Sequence, residues 1–288
     1  MDRARDVPGR APCPGRRGLR SSVSLKRLGG APVGLTVPAL VALTFLIVPV
    51  VAVVLRVPWS TFLSDISSSG ARDSLRLSVV TSLIAAGLCL LFGVPLAWIL
   101  ARVVFPGRSL VRALVTLPLV LPPVVGGVAL LLALGRRGLV GQWLDLWFGL
   151  TIPFTQTAVV LAQTFVALPF LVISVEGAFR ASDERYDDAA ATLGASRWHT
   201  FRRVTLPLAL PGIVSGAVLS WARALGEFGA TITFAGNFPG TTRTMPIEVY
   251  LALNSDPDAA IALSMILIAV SIGVLALLRE RWLTGLST

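Results

Sequence analysis

Residues 188–207 read Asp-Ala-Ala-Ala-Thr-Leu-Gly-Ala-Ser-Arg-Trp-His-Thr-Phe-Arg-Arg-Val-Thr-Leu-Pro and lie between two apolar runs, 157–175 and 208–230. Gly194 is a natural helix end, because glycine adopts a left-handed conformation there at little cost. Ser196 can cap a second short helix just beyond it. The pattern predicts a pair of short helices that can press into a groove of another protein. A loop that only covers its own helix ends is the alternative.

The connection that contains this stretch runs from residue 176 to residue 207. Ser182 can cap the first of the two helices, although Arg185 stands where a capping box would place Glu or Gln. Beyond Ser196, Trp198 and Phe201 fall at helical spacing before the chain enters the next apolar run.

Apolar runs long enough to cross a membrane account for most of the chain. The composition is 55% hydrophobic and 14% charged, whereas a soluble globular domain carries about 25% charged residues. A helix needs about 20 apolar residues to cross the hydrocarbon core of a bilayer. Six segments reach or approach that length: 33–55, 77–101, 110–134, 157–175, 208–230 and 259–278. We therefore expect an all-α integral membrane protein with about six transmembrane helices.

Lysine and arginine are distributed unevenly between these segments. Of 25 such residues, eight lie before the first run, three in the second connection, five in the fourth and two after the last run. The other side carries six, and Arg223 lies within a run. The positive-inside rule therefore predicts that both termini and the 176–207 loop are cytoplasmic. Membrane topology thereby explains the net charge of +10. The expected surroundings of the chain are membrane lipid, and no nucleic-acid partner is required.

The first 30 residues are rich in Arg, Pro, Gly and Ser and are predicted to form a disordered cytoplasmic tail. Residues 31–58 are predicted to form the first span. No small-residue cleavage site follows its apolar run, so it is interpreted as an uncleaved signal anchor. Cys13 in the tail and Cys89 in the second run are expected to be free thiols.

Proline and glycine interrupt the third run at Pro118, Pro122, Pro123, Gly126 and Gly127. Proline breaks a helix and frees carbonyl groups, which need neighbours or a water-lined cavity to satisfy them. Two interpretations follow. Either Pro122, Pro123 and Gly126 contribute to a pore or gate, or the segment is a kinked helix packed against a neighbour.

Two charges, Arg223 and Glu227, stand four residues apart near the end of the fifth run. On one helical face they can neutralise each other. Charges inside a membrane point to function, so the pair is predicted either to belong to a pore or gate or to form a salt bridge that locks two helices. Asn237 is a further pore or gate candidate. The 231–258 connection around it contains turns and a short apolar piece, which either re-enters the membrane in part or is an ordinary loop.

The spacing Asp188-Ala189-Ala190, three residues, Gly194, nine residues, Val204-Thr205-Leu206-Pro207 resembles the EAA loop of the membrane subunits of bacterial ATP-binding-cassette importers, written E-A-A-x3-G-x9-I-x-L-P. This chain has Asp188 for Glu and Val204 for Ile. In that family the loop is the coupling helix, which sits in a cleft of the ATPase subunit. The resemblance implies that the ATPase-coupling residues are Asp188, Ala189, Ala190, Gly194, Val204, Leu206 and Pro207.

Further motifs resemble the molybdate and sulfate permeases among the type I importers. They are Leu117–Gly127, Arg223-Ala-Leu-Gly-Glu-Phe-Gly-Ala230, Asn237-Phe-Pro-Gly240 and Thr242-Arg-Thr-Met-Pro246. The resemblance covers residues 70–280 and is closer to the molybdate branch. It implies a type I permease domain in the bacterial inner membrane, assembled as a homodimer with two ABC ATPase subunits and an external molybdate-binding protein. Sulfate and tungstate are alternative substrates, since both are tetrahedral dianions of similar size.

The chain contains no ATPase motif. A phosphate-binding P-loop needs Gly-Lys-Ser/Thr, and the single lysine, Lys26, stands between Leu25 and Arg27. ATP and Mg are therefore expected on the partner ATPase, with no cofactor and no catalytic residue in this chain. The single histidine, His199, lacks Cys or carboxylate partners at metal-ligand spacing, so no metal site is expected. An ion-coupled secondary transporter is a weaker alternative, because it would need buried carboxylates near the membrane midplane.

Overall fold

The computed structural model describes residues 33–183 and 185–284, and within these ranges all regular secondary structure is helical. The helices are α1 (Val33–Arg56), α2 (Phe62–Ile66), α3 (Ser69–Arg102), α4 (Arg108–Val120), α5 (Pro123–Leu134), α6 (Gly141–Phe148), α7 (Gln156–Ala181), α8 (Arg185–Thr192), α9 (Arg197–Thr200), α10 (Leu206–Leu225), α11 (Gly229–Phe234), α12 (Met245–Ser255) and α13 (Pro257–Thr284). A π-helical turn, Phe201–Thr205, joins α9 to α10. The predicted all-α class is confirmed.

Helix α1 is a 24-residue apolar helix that ends at Arg56. The predicted first span therefore forms a helix long enough to cross a bilayer. Residues 1–32, with the predicted tail, Cys13 and Lys26, lie outside the described residues. The chain divides into two compact units, residues 1–48 and 49–288, and the packing described below concerns the second.

Four further helices confirm predicted spans. Helices α3, α7, α10 and α13 correspond to the second, fourth, fifth and sixth runs, and each is long and apolar enough to cross a membrane. Helix α10 ends at Leu225 rather than at residue 230, and a break at Gly226 separates it from α11.

The third predicted span, 110–134, is wrong as a single helix. Helices α4 and α5 are bent by 119° relative to each other. Leu121 and Pro122 between them are extended, each with ψ of 132°. A residue that precedes proline is driven out of the helical region, and neither Pro122 nor Pro123 has an amide hydrogen to continue the helix. If the bent pair makes one crossing, the described chain has six candidate crossings.

Helices α3, α7 and α10 pack against one another around the main apolar core of the second unit. Cys89, Leu171 and Ile213 lie buried in it, one from each helix. Small residues allow the close approach: a Cβ atom added at Gly212 of α10 would collide with Ala178 of α7. Close packing of this kind stabilises helix pairs in membranes, where lipid offers apolar side chains the same environment as a neighbouring helix.

The 231–258 connection contains the end of α11 and the whole of α12. Helix α12 packs against α3 and α13, and the backbone amide of Met245 donates a 2.7 Å hydrogen bond to Ser78 Oγ. The short apolar piece predicted in this connection is therefore a helix that is fixed to two spans.

Candidate functional site

The 176–207 loop meets the connection between α3 and α4 at one end of the second unit, referred to here as the loop end. Arg102, the last residue of α3, donates from Nη2 to the backbone oxygen of Ser182 at 3.1 Å and to Ser182 Oγ at 2.7 Å. Glu176, which is buried, lies 2.6 Å from Arg112 of α4 and 2.7 Å from Arg180 of α7. The two half-exposed arginines neutralise this buried carboxylate, which would be costly without them, and so link the ends of α4 and α7. Two connections predicted to share one side of the membrane therefore do lie together.

The remaining connections meet at the opposite end. A Cβ atom added at Gly70 of α3 would lie 3.2 Å from Glu248 Oε1 of α12. The ring of Phe154, just before α7, packs edge-on against Phe238, with centroids 6.2 Å apart. The contacts thus sort the connections into the two groups that the arginine distribution predicts.

The loop itself forms the two short helices predicted for it. Gly194 separates α8 from α9 with φ of +80°, which confirms the predicted left-handed glycine. The backbone amide of His199 donates to Ser196 Oγ at 3.3 Å, which confirms the predicted cap of α9. Ser182 was predicted to cap α8 and instead closes α7. Its hydroxyl donates to Phe179 O at 2.8 Å, and Asp183 Oδ1 accepts instead from the amide of Arg185, the first residue of α8, at 3.0 Å.

The predicted coupling residues lie in α8, at Gly194, in the π-helical turn and at the start of α10. Asp188 lies in α8, where Ala189 is exposed and Ala190 is half-buried. Further along, Val204 in the π-helical turn and Leu206 are half-buried, and Pro207 is exposed in the first turn of α10. Proline is tolerated there, because the first amides of a helix have no intrahelical acceptor.

Three large apolar side chains of the loop face solvent: Tyr186, Leu193 and Trp198, exposed by 57%, 88% and 69%. These three residues are referred to as the docking surface. Trp198 stacks on Phe201 with ring centroids 5.7 Å apart, and Phe201 in turn packs edge-on against Trp98 of α3 at 5.6 Å. Exposed apolar groups on a polar loop make these three residues candidates for protein contact. Tyr186 lies two residues before the loop motif and Leu193 lies at a variable position within it, so the motif did not indicate them.

At the bend between α4 and α5, Pro122 and Pro123 are exposed, whereas Gly126 and Gly127 are buried. The glycines serve packing. A Cβ atom at Gly126 would lie 3.1 Å from the ring of Phe165, and one at Gly127 would lie 2.8 Å from the backbone oxygen of Ala230 in α11. The sequence predicted the break, but it did not indicate that α5 crosses α11 at backbone contact.

Arg223 and Glu227 form the predicted ion pair, with Nη2 to Oε2 of 2.7 Å. The two atoms are close but poorly aligned for a hydrogen bond. Glu227 lies beyond the end of α10, in the break before α11, so the prediction of one continuous helical face is wrong. Its Oε1 accepts a 2.9 Å hydrogen bond from the amide of Ala230, in the first turn of α11. A carboxylate there satisfies an amide with no partner in the helix and favours the helix dipole.

Asn237 lies in an exposed turn between Gly236 and Gly240, both with positive φ. Its backbone oxygen accepts a 3.1 Å hydrogen bond from Arg243 Nε. Pro123 and Gly229 lie together, since a Cβ atom at Gly229 would be 2.8 Å from Pro123 Cβ. The structure therefore brings the bend close to the Glu227 segment, and it places Asn237 in the connection that follows.

No metal site is apparent among the residues that the structure describes. No group of three or more His, Cys, Asp or Glu side chains occurs there in a position to hold an ion. His199 is exposed on α9.

Comparison with known proteins agrees with this arrangement. Residues 93–285 match the family described as binding-protein-dependent transport system inner membrane component. The molybdenum transport system permease protein ModB of Mycobacterium tuberculosis is 53% identical over 236 residues, which cover 81% of this chain and 88% of that protein. The ModB protein of Escherichia coli K12 is 44% identical over 215 residues, 75% of this chain and 94% of that one. The E. coli K12 sulfate transport system permease protein CysT is 33% identical over 256 residues, 87% and 92% of the two chains.

A solved bacterial ABC transporter involved in the import of the acidic polysaccharide alginate has the same fold, with a TM-score of 0.66 over 86% of this chain and 93% of that chain at 19% identity. The resemblance stated from the sequence motifs is thereby confirmed. The family match and the identities, together with the loop and its two helices, show that this chain belongs to the binding-protein-dependent transport system inner membrane components, the permease subunits of ABC importers.

Proposed function

We propose that this chain is the pore-forming permease subunit of an ATP-driven molybdate importer. The observation that carries the proposal is the 53% identity, over 81% of the chain, to a protein named as a molybdenum transport system permease. Identity to the sulfate permease is 33%, which favours molybdate over sulfate. Tungstate is the remaining alternative, because it is a dianion of the same shape.

The assembly in this proposal contains two copies of the chain, two ABC ATPase subunits that bind ATP and Mg, and an external molybdate-binding protein. Both termini and the loop end face the cytoplasm, where the ATPases are. The grouping of the arginine-rich connections at the loop end supports this orientation. The family description, which names binding-protein dependence, supports the external partner.

The docking surface binds the ATPase, together with the coupling residues of α8 and Gly194. ATP binding draws the two ATPases together and moves the loops with them, which opens the pore to the outside; hydrolysis returns it to the inward-facing state. Nucleotide must therefore bind more tightly to one pore conformation than to the other, since equal affinity shifts no equilibrium.

In this proposal the exposed prolines at the bend, Pro122 and Pro123, border the pore or gate. Gly126 lets α5 approach Phe165, so it shapes the gate through packing. Arg223 and Glu227 neutralise each other, and Glu227 caps α11. These contacts favour a structural role behind the gate rather than contact with the substrate. Asn237 belongs to the outer turn that meets the binding protein.

The test is uptake of labelled molybdate into proteoliposomes that contain the chain, the ATPase and the binding protein, with sulfate and tungstate as competitors. We expect uptake that requires ATP and that sulfate does not inhibit at equal concentration. Sulfate uptake at a similar rate would overturn the molybdate assignment. Uptake that survives an ATPase unable to hydrolyse ATP would instead support an ion-coupled transporter. Calorimetric titration of the binding protein with the three anions separates molybdate from tungstate.

A further inference from the structure

Arg102 ties the end of one span to the end of another. It is the last residue of α3, its side chain is 10% exposed, and it donates to both oxygens of Ser182 at the end of α7. The acceptors include a backbone carbonyl that has no partner within α7, a position where a basic side chain is favourable. This contact secures the point at which the chain leaves the membrane-spanning bundle and enters the loop.

Asp187 of α8 secures the other side of the loop. Its Oδ2 lies 3.6 Å from Arg102 Nη2, and its Oδ1 accepts a 2.8 Å hydrogen bond from Thr205 Oγ1. Thr205 is buried in the π-helical turn that leads directly into α10. One carboxylate therefore links α8 to the end of α3 and to the start of α10. The loop motif predicts neither Arg102 nor Asp187.

These polar contacts lie beside an open cavity between α8 and the end of α3. The cavity has a volume of about 370 Å³ and borders Trp98, Arg102, Asp187, Arg197 and Phe201. Because the cavity separates part of α8 from α3, the contacts of Asp187 with Arg102 and Thr205 are direct links from α8 to two spans there. The packing of Phe201 against Trp98 links the following turn to α3.

We propose that Arg102 and Asp187 are positioning residues that make α3, α8 and α10 move together when the ATPase displaces the loop. The inference rests on the proposed function, since it assumes that the loop receives its movement from an ATPase. It assigns a role in passing movement from the loop to the spans to two residues that do not belong to the docking surface. Loss of the pair should therefore leave the ATPase bound and active, while fewer molybdate ions are imported per ATP hydrolysed.

The experiment compares Asp187→Asn, Arg102→Gln and the double variant with the wild-type complex in proteoliposomes. Three quantities are measured: co-purified ATPase, the rate of ATP hydrolysis, and the number of molybdate ions imported per ATP hydrolysed. We expect normal co-purification and roughly a tenfold fall in import per ATP for each single variant. The loss in the double variant should be smaller than the product of the two single losses, because both substitutions remove the same Arg102–Asp187 contact. Asp187→Glu, which keeps the charge, should recover most of the coupling.

Two further variants keep the test decisive. Thr205→Val removes only the hydrogen bond to Asp187, so it should lower import per ATP even if the charge variants are unstable. Asp145→Asn breaks the pair of Asp145 with the exposed Arg136 (Nε to Oδ2 of 3.0 Å) and should leave import per ATP unchanged.

Unchanged coupling in Asp187→Asn and Thr205→Val would overturn the inference, as would additive losses in the double variant or loss of ATPase binding in step with transport. Failure of the wild-type complex to bind the ATPase or to import molybdate would instead refute the proposed function.

Discussion

Arg223 Nη2 lies 2.7 Å from Oε2 of Glu227, whose side chain is 1% exposed. Removing one member of a buried ion pair leaves the other charge without compensation, at a cost of about 3–5 kcal/mol. Since Glu227 is the more deeply buried partner, Arg223→Gln should lower the thermal stability of the purified protein most. Glu227→Gln should do less damage, because its amide oxygen still accepts from Ala230.

The double variant Arg223→Gln/Glu227→Gln should be more stable than Arg223→Gln alone. Thermal unfolding followed by fluorescence-detected size exclusion measures all three variants. Arg136→Gln, which breaks the exposed pair with Asp145, is the control and should have little effect. Equal losses from all three Arg223 and Glu227 variants would show that each residue has its own role.

The crossing of α5 and α11 depends on Gly127. A Cβ atom at this position would lie 2.8 Å from the backbone oxygen of Ala230, which cannot move without shifting α11. Gly127→Ala should therefore destabilise the protein by about 1–3 kcal/mol. Gly87 of α3 has no atom within 4 Å of such a Cβ, so Gly87→Ala should be neutral or slightly stabilising. Similar unfolding temperatures for the two variants would contradict the close crossing.

Gly194 takes φ of +80° between α8 and α9, and nothing lies within 4 Å of a Cβ atom built on it. Gly194→Val therefore meets backbone strain on the order of 1–2 kcal/mol without a collision inside the chain. We expect the protein to insert normally, while ATPase co-purification and molybdate uptake fall together. Gly194→Asn should be milder, because asparagine tolerates the left-handed region. Normal co-purification and uptake in Gly194→Val would refute the coupling assignment of Gly194, and failed insertion would assign it to folding.

The docking surface offers a test that leaves the backbone unchanged. Leu193 is 88% exposed, so Leu193→Glu should not affect folding, yet it places a carboxylate in an apolar contact. Co-purified ATPase should fall at least about tenfold, as for a central interface residue. Leu139→Glu changes a leucine that is 79% exposed in the connection before α6 and serves as the control. An equal fall in both variants, or in neither, would show that Leu193 is not at the interface.

The topology predicts opposite outcomes for two reporter fusions. A fusion after Ala195, in the loop between α8 and α9, should be active only with a cytoplasmic reporter. A fusion after Pro239, in the turn that contains Asn237, should be active only with a reporter that functions outside the membrane. A signal from the outside at Ala195 would reverse the orientation of the whole second unit.

Local patterns predicted the elements whose formation depends on neighbouring residues. The apolar runs indicated helices α1, α3, α7, α10 and α13, because a segment of that length can satisfy its backbone only within itself in a membrane. Gly194 and Ser196 indicated the loop helices for a similar reason, since their conformational and capping preferences act over a few residues. The arginine distribution grouped the connections correctly, and the loop motif indicated the family.

The tertiary structure alone decided which residues touch across distances in sequence. The 119° bend between α4 and α5 depends on the partner of α5. That partner is α11, which α5 contacts at Gly127. The sequence predicts Glu227 and Arg223 on one helical face, but Oε1 of Glu227 caps α11. Only the break at Gly226 permits this contact. Arg102 and Asp187 are 85 positions apart in the chain numbering, and no local preference brings them together. By itself the sequence determined the helices, the grouping of the connections and the family, because these follow from local hydrophobicity, charge and motif. The bend angle, the crossing and the link from α3 to the loop depend on packing between distant segments, which only the folded chain specifies.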